Sequence, residues 1–251
     1  MQSLCRDVTL VLDAETVRVY TKTDWCGQGA EAPCEIFLHG GQVAETVSHA
    51  LAMQKPARLS FFNRVHVIVG NPWVHLIVLP WQAGLFSNAA WQAYARALFA
   101  QSRPHGNWRF CVQSEKHGRT RLSAVLCEDV LGAIEQGCQS AGWRLVSVRD
   151  EFSSLLRRHA ALASAPGACF ILAQRHVVSC LFRGASDWRD LVMLARTRND
   201  LGEWLLGASL LADLAVPTSV HVAGLDLPEL PAGFERLEGW TSQAVECGDR
   251  A

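Results

Sequence analysis

The chain has 251 residues, 49% of them hydrophobic and 19% charged, with a formal net charge of −1. That balance excludes a disordered or solvating chain, which would be polar and highly charged, and the lack of a short period or biased tract excludes collagen, coiled coil and low-complexity classes. The length suffices for one large or two small domains with a sizeable core, and the net charge supplies no overall attraction to nucleic acid.

The elements follow in order. Val8 to Leu12 is an apolar run, Asp13-Ala14-Glu15 punctuates it, and Thr16 to Tyr20 alternates, so a hairpin is predicted. Residues 24–34, with Gly27, Gly29 and Pro33, read as a loop. Ile36 to Leu38 is a short strand, and Val43, Val47, Ala50 and Leu51 recur at helical spacing within a helix over 42–53. Val65 to Val69 and Val74 to Leu79 are β-branched runs around Gly70-Asn71-Pro72-Trp73 and read as a second hairpin. Ser87 is the N-cap of a helix to about Gln101, Trp108–Gln113 and Arg121–Leu126 form a strand pair, and Glu128–Ala141 is a helix closed by Gly142. Trp143 to Val148 is a strand and Glu151 to Ala163 is helical.

Ser164-Ala165-Pro166-Gly167 is the best boundary signal. Beyond it the pattern restarts with a strand at Ala168–Ala173, the turn Gln174-Arg175-His176, a strand at Val177–Phe182 and another at Leu191–Ala195. Asp200 and Glu203 make a capping box for a helix to about Leu214, Thr218–Ala223 is a strand, and Phe234–Trp240 adds an edge strand. Strand-rich halves with helical crossovers predict an α/β architecture with mixed sheets in two subdomains, residues 1–164 and 165–251, the second ending in an acidic tail. Residues 58–199 carry 17 basic and eight acidic side chains against two and nine in 200–251. Pairing of the basic middle with the acidic tail is the expectation, since no Lys/Arg cluster with interleaved aromatics is present.

No basic and apolar leader opens the sequence, and nine widely spaced cysteines, several in apolar runs and none in a Cys-x-x-Cys pair, read as reduced, mostly buried thiols of a cytoplasmic protein. Residues 65–95 lack Asp, Glu, Lys and Arg, but Asn71-Pro72, Pro80, His66 and His75 make two strands and a helix the better reading than a re-entrant membrane segment. No phosphate-binding Gly-x-x-x-x-Gly-Lys-Ser/Thr loop and no Gly-x-Ser-x-Gly elbow occurs. Gly27-x-Gly29-x-x-Ala32 is followed by Pro33 and opens no helix, and the histidines never fall at metal-ligand spacing. No catalytic residue and no metal site is therefore assigned. Of nine tryptophans, Trp73, Trp81, Trp91 and Trp108 sit at element ends, where core packing with a bonded indole N–H is expected; an exposed Trp81 or Trp91 would instead mark a protein-binding surface.

The strand–turn–strand opening, the run ending in Leu79-Pro80-Trp81 with the helix after it, Arg121-Leu122-Ser123-Ala124-Val125-Leu126 with its amphipathic helix, and the restart at 168 resemble the actin-like ATPase superfamily. Within it they look most like the cytoplasmic PilM/GspL-type proteins of type IV pilus and type II secretion assembly, over about residues 60–200. The resemblance implies two RNase H-like subdomains with a nucleotide cleft between them. In that family the first hairpin turn carries an Asp that holds Mg²⁺ through water and a Gly that lets backbone N–H groups approach phosphate. Here Asp13 matches the Asp, and Glu15 stands at the Gly position. The second phosphate turn maps to Gln174-Arg175-His176, with neither Asp nor Gly, and the adenosine Gly-Gly maps to Gly224-Leu225. Asp13, Glu15, Arg175 and Gly224 thus outline a vestigial nucleotide site without a bound cofactor. The implied function is a non-catalytic cytoplasmic scaffold at the inner face of the inner membrane. It would reach the membrane only through a pilus or secretion assembly protein, and would take no nucleic acid. An ATP- and Mg²⁺-binding member of the same fold, and a small-molecule enzyme with a Cys or His in the cleft, are the other readings left open.

Overall fold

Two short apolar runs on either side of Asp13-Ala14-Glu15 form the first hairpin, both strands buried. The computed structural model describes residues 6–20, 35–57, 62–102, 105–197, 200–224, 227 and 229–237. In it β1 (Arg6–Leu12) pairs antiparallel with β2 (Thr16–Tyr20), and β3 (Glu35–Leu38) extends β2. Helix α1 (Val43–Ala52) buries Val43, Val47, Ala50 and Leu51 and returns the chain so that β4 (Asn63–Val69) lies parallel to β1. A helical crossover is what a parallel pair requires.

β4 does not form the expected hairpin with the next strand. β5 (Val74–Leu79) leaves for a separate antiparallel sheet. There, after α2 (Asn88–Ser102) and β6 (Trp108–Val112), β7 (Arg121–Cys127) pairs with both β5 and β6. Both β-branched runs lack a period of two, so they specify burial without specifying a partner. The turn between them is also tied to the first hairpin: Gly70 N–H donates to the Leu12 carbonyl at 2.8 Å, and the Trp73 indole N–H to the Asp13 carbonyl at 3.1 Å. Ser87 caps α2 by accepting from Ala90 N–H at 3.1 Å, and α2 packs Trp91, Ala95 and Phe99 on Leu79, Phe110, Val112 and Val125 of the small sheet.

Helix α3 (Glu128–Ser140) ends as expected at Gly142, whose φ is +72°. Gly142 N–H donates to the Gln139 carbonyl and Trp143 N–H to that of Cys138, a Schellman closure. β8 (Arg144–Asp150) then joins β4 in parallel, giving the order β3-β2-β1-β4-β8. The predicted helix over 151–163 is interrupted at His159 into α4 (Glu151–Arg158) and α5 (Ala160–Ala163).

The restart is real. β9 (Ala168–Ala173) and β10 (Val177–Arg183) form a hairpin, β11 (Trp188–Ala195) extends it, and α6 (Leu201–Leu211) leads to β12 (Ser219–Gly224), parallel to β9. β13 (Phe234–Arg236) is the parallel edge, so the order β11-β10-β9-β12-β13 repeats that of the first sheet. The Asp200 carboxylate accepts from Glu203 N–H at 3.0 Å, the cap half of the predicted box.

The chain divides into two compact units, but not by one cut near residue 164. Of the described residues, those within 6–73 group with Glu128–Arg158, and those of Val74–Cys127 group with those within 159–237. The small sheet is inserted in the first half of the sequence yet belongs to the second unit, where β5 lies against β11 and the Thr120 hydroxyl donates to the Trp188 carbonyl at 3.0 Å. Arg18–Asp13 and Arg64–Asp7 pair within the first unit, and Arg119–Asp187 and His221–Glu235 within the second. The expected loop at 24–34 and the tail beyond residue 237 lie outside the described residues.

Candidate functional site

Asp13 follows the last residue of β1, and its side chain builds the turn. Its Oδ1 accepts from Glu15 N–H at 2.9 Å and Thr16 N–H at 2.7 Å; its Oδ2 accepts from the Thr16 hydroxyl at 2.7 Å and lies 3.2 Å from Arg18 Nη2. An ionised carboxylate offers about four acceptor positions; hydrogen bonds within the turn take three of them, and the Arg18 guanidinium on β2 faces Oδ2 as an ion pair. The backbone carbonyl of Asp13 is engaged too, by Trp73 Nε1 at 3.1 Å and His39 Nε2 at 3.1 Å. Gly41 N–H donates to His39 Nδ1, which assigns the ring proton to Nε2 and makes His39 a donor to that carbonyl. Glu15 is half-buried at the turn tip, and its carbonyl accepts from His39 N–H at 3.0 Å.

Arg18 is the residue that the sequence reading missed. It stands on β2 between two buried valines, opposite Val11, and is itself buried. A guanidinium in that place needs a partner, and Asp13 supplies it. A charged residue inside an apolar five-residue strand was the available signal. Tyr20, two residues on and on the same face, has its phenol pushed up by burial, with Arg18 pulling the other way and Glu151 and Asp13 adding to the rise. At the end of β8, Asp150 caps α4 by accepting from Ser153 N–H at 2.6 Å. Burial pushes its carboxyl above the ordinary range, against the Ser153 hydrogen bonds and Arg157. His66, in contact with the Ser147 hydroxyl at 2.9 Å, is held below its ordinary value chiefly by burial.

In the second unit the β9–β10 turn closes through Gln174 N–H to the Val177 carbonyl at 2.8 Å, and Arg196 Nη1 donates to the Gln174 carbonyl at 3.0 Å. Gln174 is buried while Arg175 and His176 are exposed at the tip. Gly224 ends β12 opposite Ala173, at φ +139°, and a Cβ there would run into the Ala173 carbonyl oxygen. Only glycine fits that approach.

No family model and no curated protein matches the chain. Among solved structures, a Bacteroides thetaiotaomicron protein with actin-like ATPase fold and unknown function superposes with a TM-score of 0.60 at 8% identity, over 88% of this chain and 83% of that one. This chain has the actin-like ATPase fold. The cytoplasmic domain of EpsL, an inner-membrane component of the type II secretion system of Vibrio cholerae, aligns at a TM-score of 0.49 and 13% identity, over 92% of this chain and 87% of that one. The PilM–PilN type IV pilus biogenesis complex aligns at 0.45 and 11%, over 86% and 68%.

Within the actin-like fold the four expected cleft residues fall in two pairs. Asp13 and Glu15 share the β1–β2 turn of the first unit, and Gly224 ends the strand beside the β9–β10 turn that carries Arg175 in the second. No helix among the described residues is long and apolar enough to cross a membrane. Trp91 is core, its indole N–H bonded to the Leu85 carbonyl at 2.9 Å, whereas Trp81 is half-exposed against Trp91 and His117.

Proposed function

We propose that this chain is a non-catalytic actin-like scaffold whose nucleotide site has lost its chemistry. It acts in the cytoplasm, at the inner face of the inner membrane, by docking to an assembly protein of a type IV pilus or type II secretion machine. The carrying observation is the state of Asp13. A carboxylate that already accepts three hydrogen bonds within its own turn and faces a guanidinium at 3.2 Å is drawn away from a hydrated Mg²⁺. Glu15 adds a negative charge at the turn where phosphate would pass. Two like charges about 4 Å apart at an effective dielectric of 20 repel by roughly 4 kcal/mol, about a thousandfold in affinity. The pilus and secretion affiliation rests on the sequence pattern between residues 60 and 200. Calorimetric titration of ATP with millimolar Mg²⁺ into the full chain tests the reading. Weak or absent binding and no hydrolysis are expected, and a low-micromolar dissociation constant overturns it in favour of an ATP-binding assembly protein. Glu15→Gly then shows whether the carboxylate alone is responsible.

A further inference from the structure

The turn that joins β10 to β11 gathers three guanidinium groups around one exposed hydroxyl. Phe182 pairs with Asp190 and Arg183 with Trp188, which leaves Arg189 as the extra residue of a bulge. Gly184-Ala185-Ser186-Asp187 makes the turn, closed by Gly184 N–H to the Asp187 carbonyl at 2.7 Å, with Ala185 and Ser186 exposed at its tip. The Ser186 hydroxyl donates to Asp187 Oδ2 at 3.2 Å, and Asp187 Oδ1 accepts from Arg119 Nη1 at 3.1 Å. Arg119 comes from the turn before β7. Its contact ties the small sheet to the second five-stranded sheet, beside the bond from the Thr120 hydroxyl to the Trp188 carbonyl. Arg183 gives Nη2 to the Ser186 carbonyl at 2.9 Å and lies with its Cζ 4.7 Å from the centre of the Trp188 ring. Its Nε is buried without an acceptor. Arg189 crosses Gly184: a Cβ there would meet Arg189 Nε at 2.5 Å, so glycine makes room for that side chain.

The charges at this turn do not balance. Arg119 has Asp187, but Arg183 and Arg189 have no carboxylate partner among the described residues. The other carboxylate of the stretch, Asp190, accepts from Leu191 N–H at 2.7 Å and stands across from Phe182, and Glu115 and Lys116 of the turn before β7 cancel each other. Three cations thus face one anion. A phosphoserine carries about −1.5 to −2 charge at pH 7 and three strong acceptor oxygens, which is the charge and the bonding that this turn lacks. We propose that Ser186 is a phosphorylation site whose phosphoryl group is held by Arg183 and Arg119, with Arg189 as the third cation. A protein serine kinase and a nucleoside triphosphate supply the group. The Ser186 oxygen attacks the γ-phosphorus, and the new O–P bond forms as the bond to the bridging β-phosphate oxygen breaks. The nucleoside diphosphate leaves, and the hydroxyl proton passes to a base of the kinase. Arg183, three residues before Ser186 in the sequence, is the handle for a kinase that reads upstream basic residues. Once in place, the phosphoryl group shares Arg119 with Asp187 and tightens the tie between the two sheets. The inference is independent of the scaffold reading, which rests on the Asp13 turn.

The test incubates the full chain with ATP, Mg²⁺ and a purified serine kinase that recognises Arg three residues before its target, and reads the product by intact mass and peptide mapping. One phosphoryl group on Ser186 is expected, and none on that peptide in Ser186→Ala. The modified chain should melt about 2–4 °C above the unmodified one. Hydrogen exchange at residues 119–120 and 186–188 should slow, and the rise in melting temperature should shrink at high salt. Because Arg183→Gln also alters the kinase handle, phosphoserine is placed at position 186 during translation in the variants. Arg119→Gln and Arg183→Gln should each lose at least half of the rise. Circular dichroism checks that they fold, and Arg189→Gln, at an exposed position, serves if one does not. Phosphoryl transfer to other residues alone, a modified chain that melts at or below the unmodified one, or a rise indifferent to these arginines overturns the proposal. Inorganic phosphate titrated into the unmodified chain separates a free oxyanion from a covalent one. A comparable rise at millimolar phosphate, abolished by Arg183→Gln, would overturn the modification in favour of a phosphate-binding turn; no rise is expected.

Discussion

At the scale of single residues, Asp13 and Arg18 are mutually dependent. Asp13→Ala removes three hydrogen bonds and leaves the Arg18 guanidinium buried without its counter-charge. Breaking one partner of a buried pair costs about 3–5 kcal/mol, while replacing both by apolar groups of similar shape is far cheaper. Urea denaturation should show Asp13→Ala strongly destabilised, and Asp13→Asn with Arg18→Met recovering much of the loss; equal effects for all variants would contradict a coupled pair. Asp150 makes a pH-dependent case. Its folded pKa is raised by burial, so the folded state binds its proton more tightly than the unfolded chain. Stability from this group is therefore greatest below the ordinary carboxylate pKa of about 3.9 and is lost as pH rises through the folded value. Asp150→Asn keeps an oxygen for Ser153 N–H and drops the charge, so it should be at least as stable as the wild type at pH 7, with the gap closing as pH falls towards 4. Asp150→Ala should lose the cap, about 1 kcal/mol. Thermal melts of the three proteins across pH provide the check.

At the scale of elements, burial and not pairing was written in the two valine-rich runs. β4 is buried along most of its length between β1 and β8, as a central parallel strand is, and β5 gains its partners from β7, almost fifty residues on in the chain. Helix contacts carry a tighter specification. Gly137 lets α3 approach α1 at a distance no Cβ tolerates. Gly137→Ala should gain helix propensity, about 1 kcal/mol, and lose more than that to overpacking, typically 1–3 kcal/mol. The net expectation is a lower melting temperature, and a variant more stable than the wild type would show that the two helices separate freely.

At the scale of the molecule, the same strand–strand–strand–helix–strand plan is laid down twice, with the insertion between β4 and α3 lengthening the first copy. The thiols follow the cores of these layers. Cys169 and Cys180 lie in the core of the second unit, and Cys138 is buried on α3 with its thiol pushed up to about 12, chiefly by burial. Cys111 is exposed on β6 and Cys127 half-exposed at the end of β7. Since the thiolate is the reactive form, native alkylation followed by mass spectrometry should modify Cys111 fast, Cys127 more slowly, and Cys138, Cys169 and Cys180 only after unfolding. Rapid native labelling of Cys169 or Cys180 would contradict the packing of the second sheet.

Local physics made much of this legible in the sequence. Asp13-Ala14-Glu15 sets a hairpin, Ser87 and Asp200 offer caps, Gly142 stops α3, and the apolar periods of α1 and α3 name their buried faces. Each of these acts through neighbours within a few residues, and so needs no knowledge of the rest of the chain. Which sheet a continuous valine run joins, which unit the 74–127 insertion belongs to, and that Arg18 completes Asp13 were decided only by tertiary structure. A parallel strand finds its partner across a crossover of any length, and an apolar run is satisfied by any dry layer of the right size. The charge on Arg18 was visible in the sequence, but the three hydrogen bonds and the ion pair of Asp13 exist only once the turn has closed around its carboxylate.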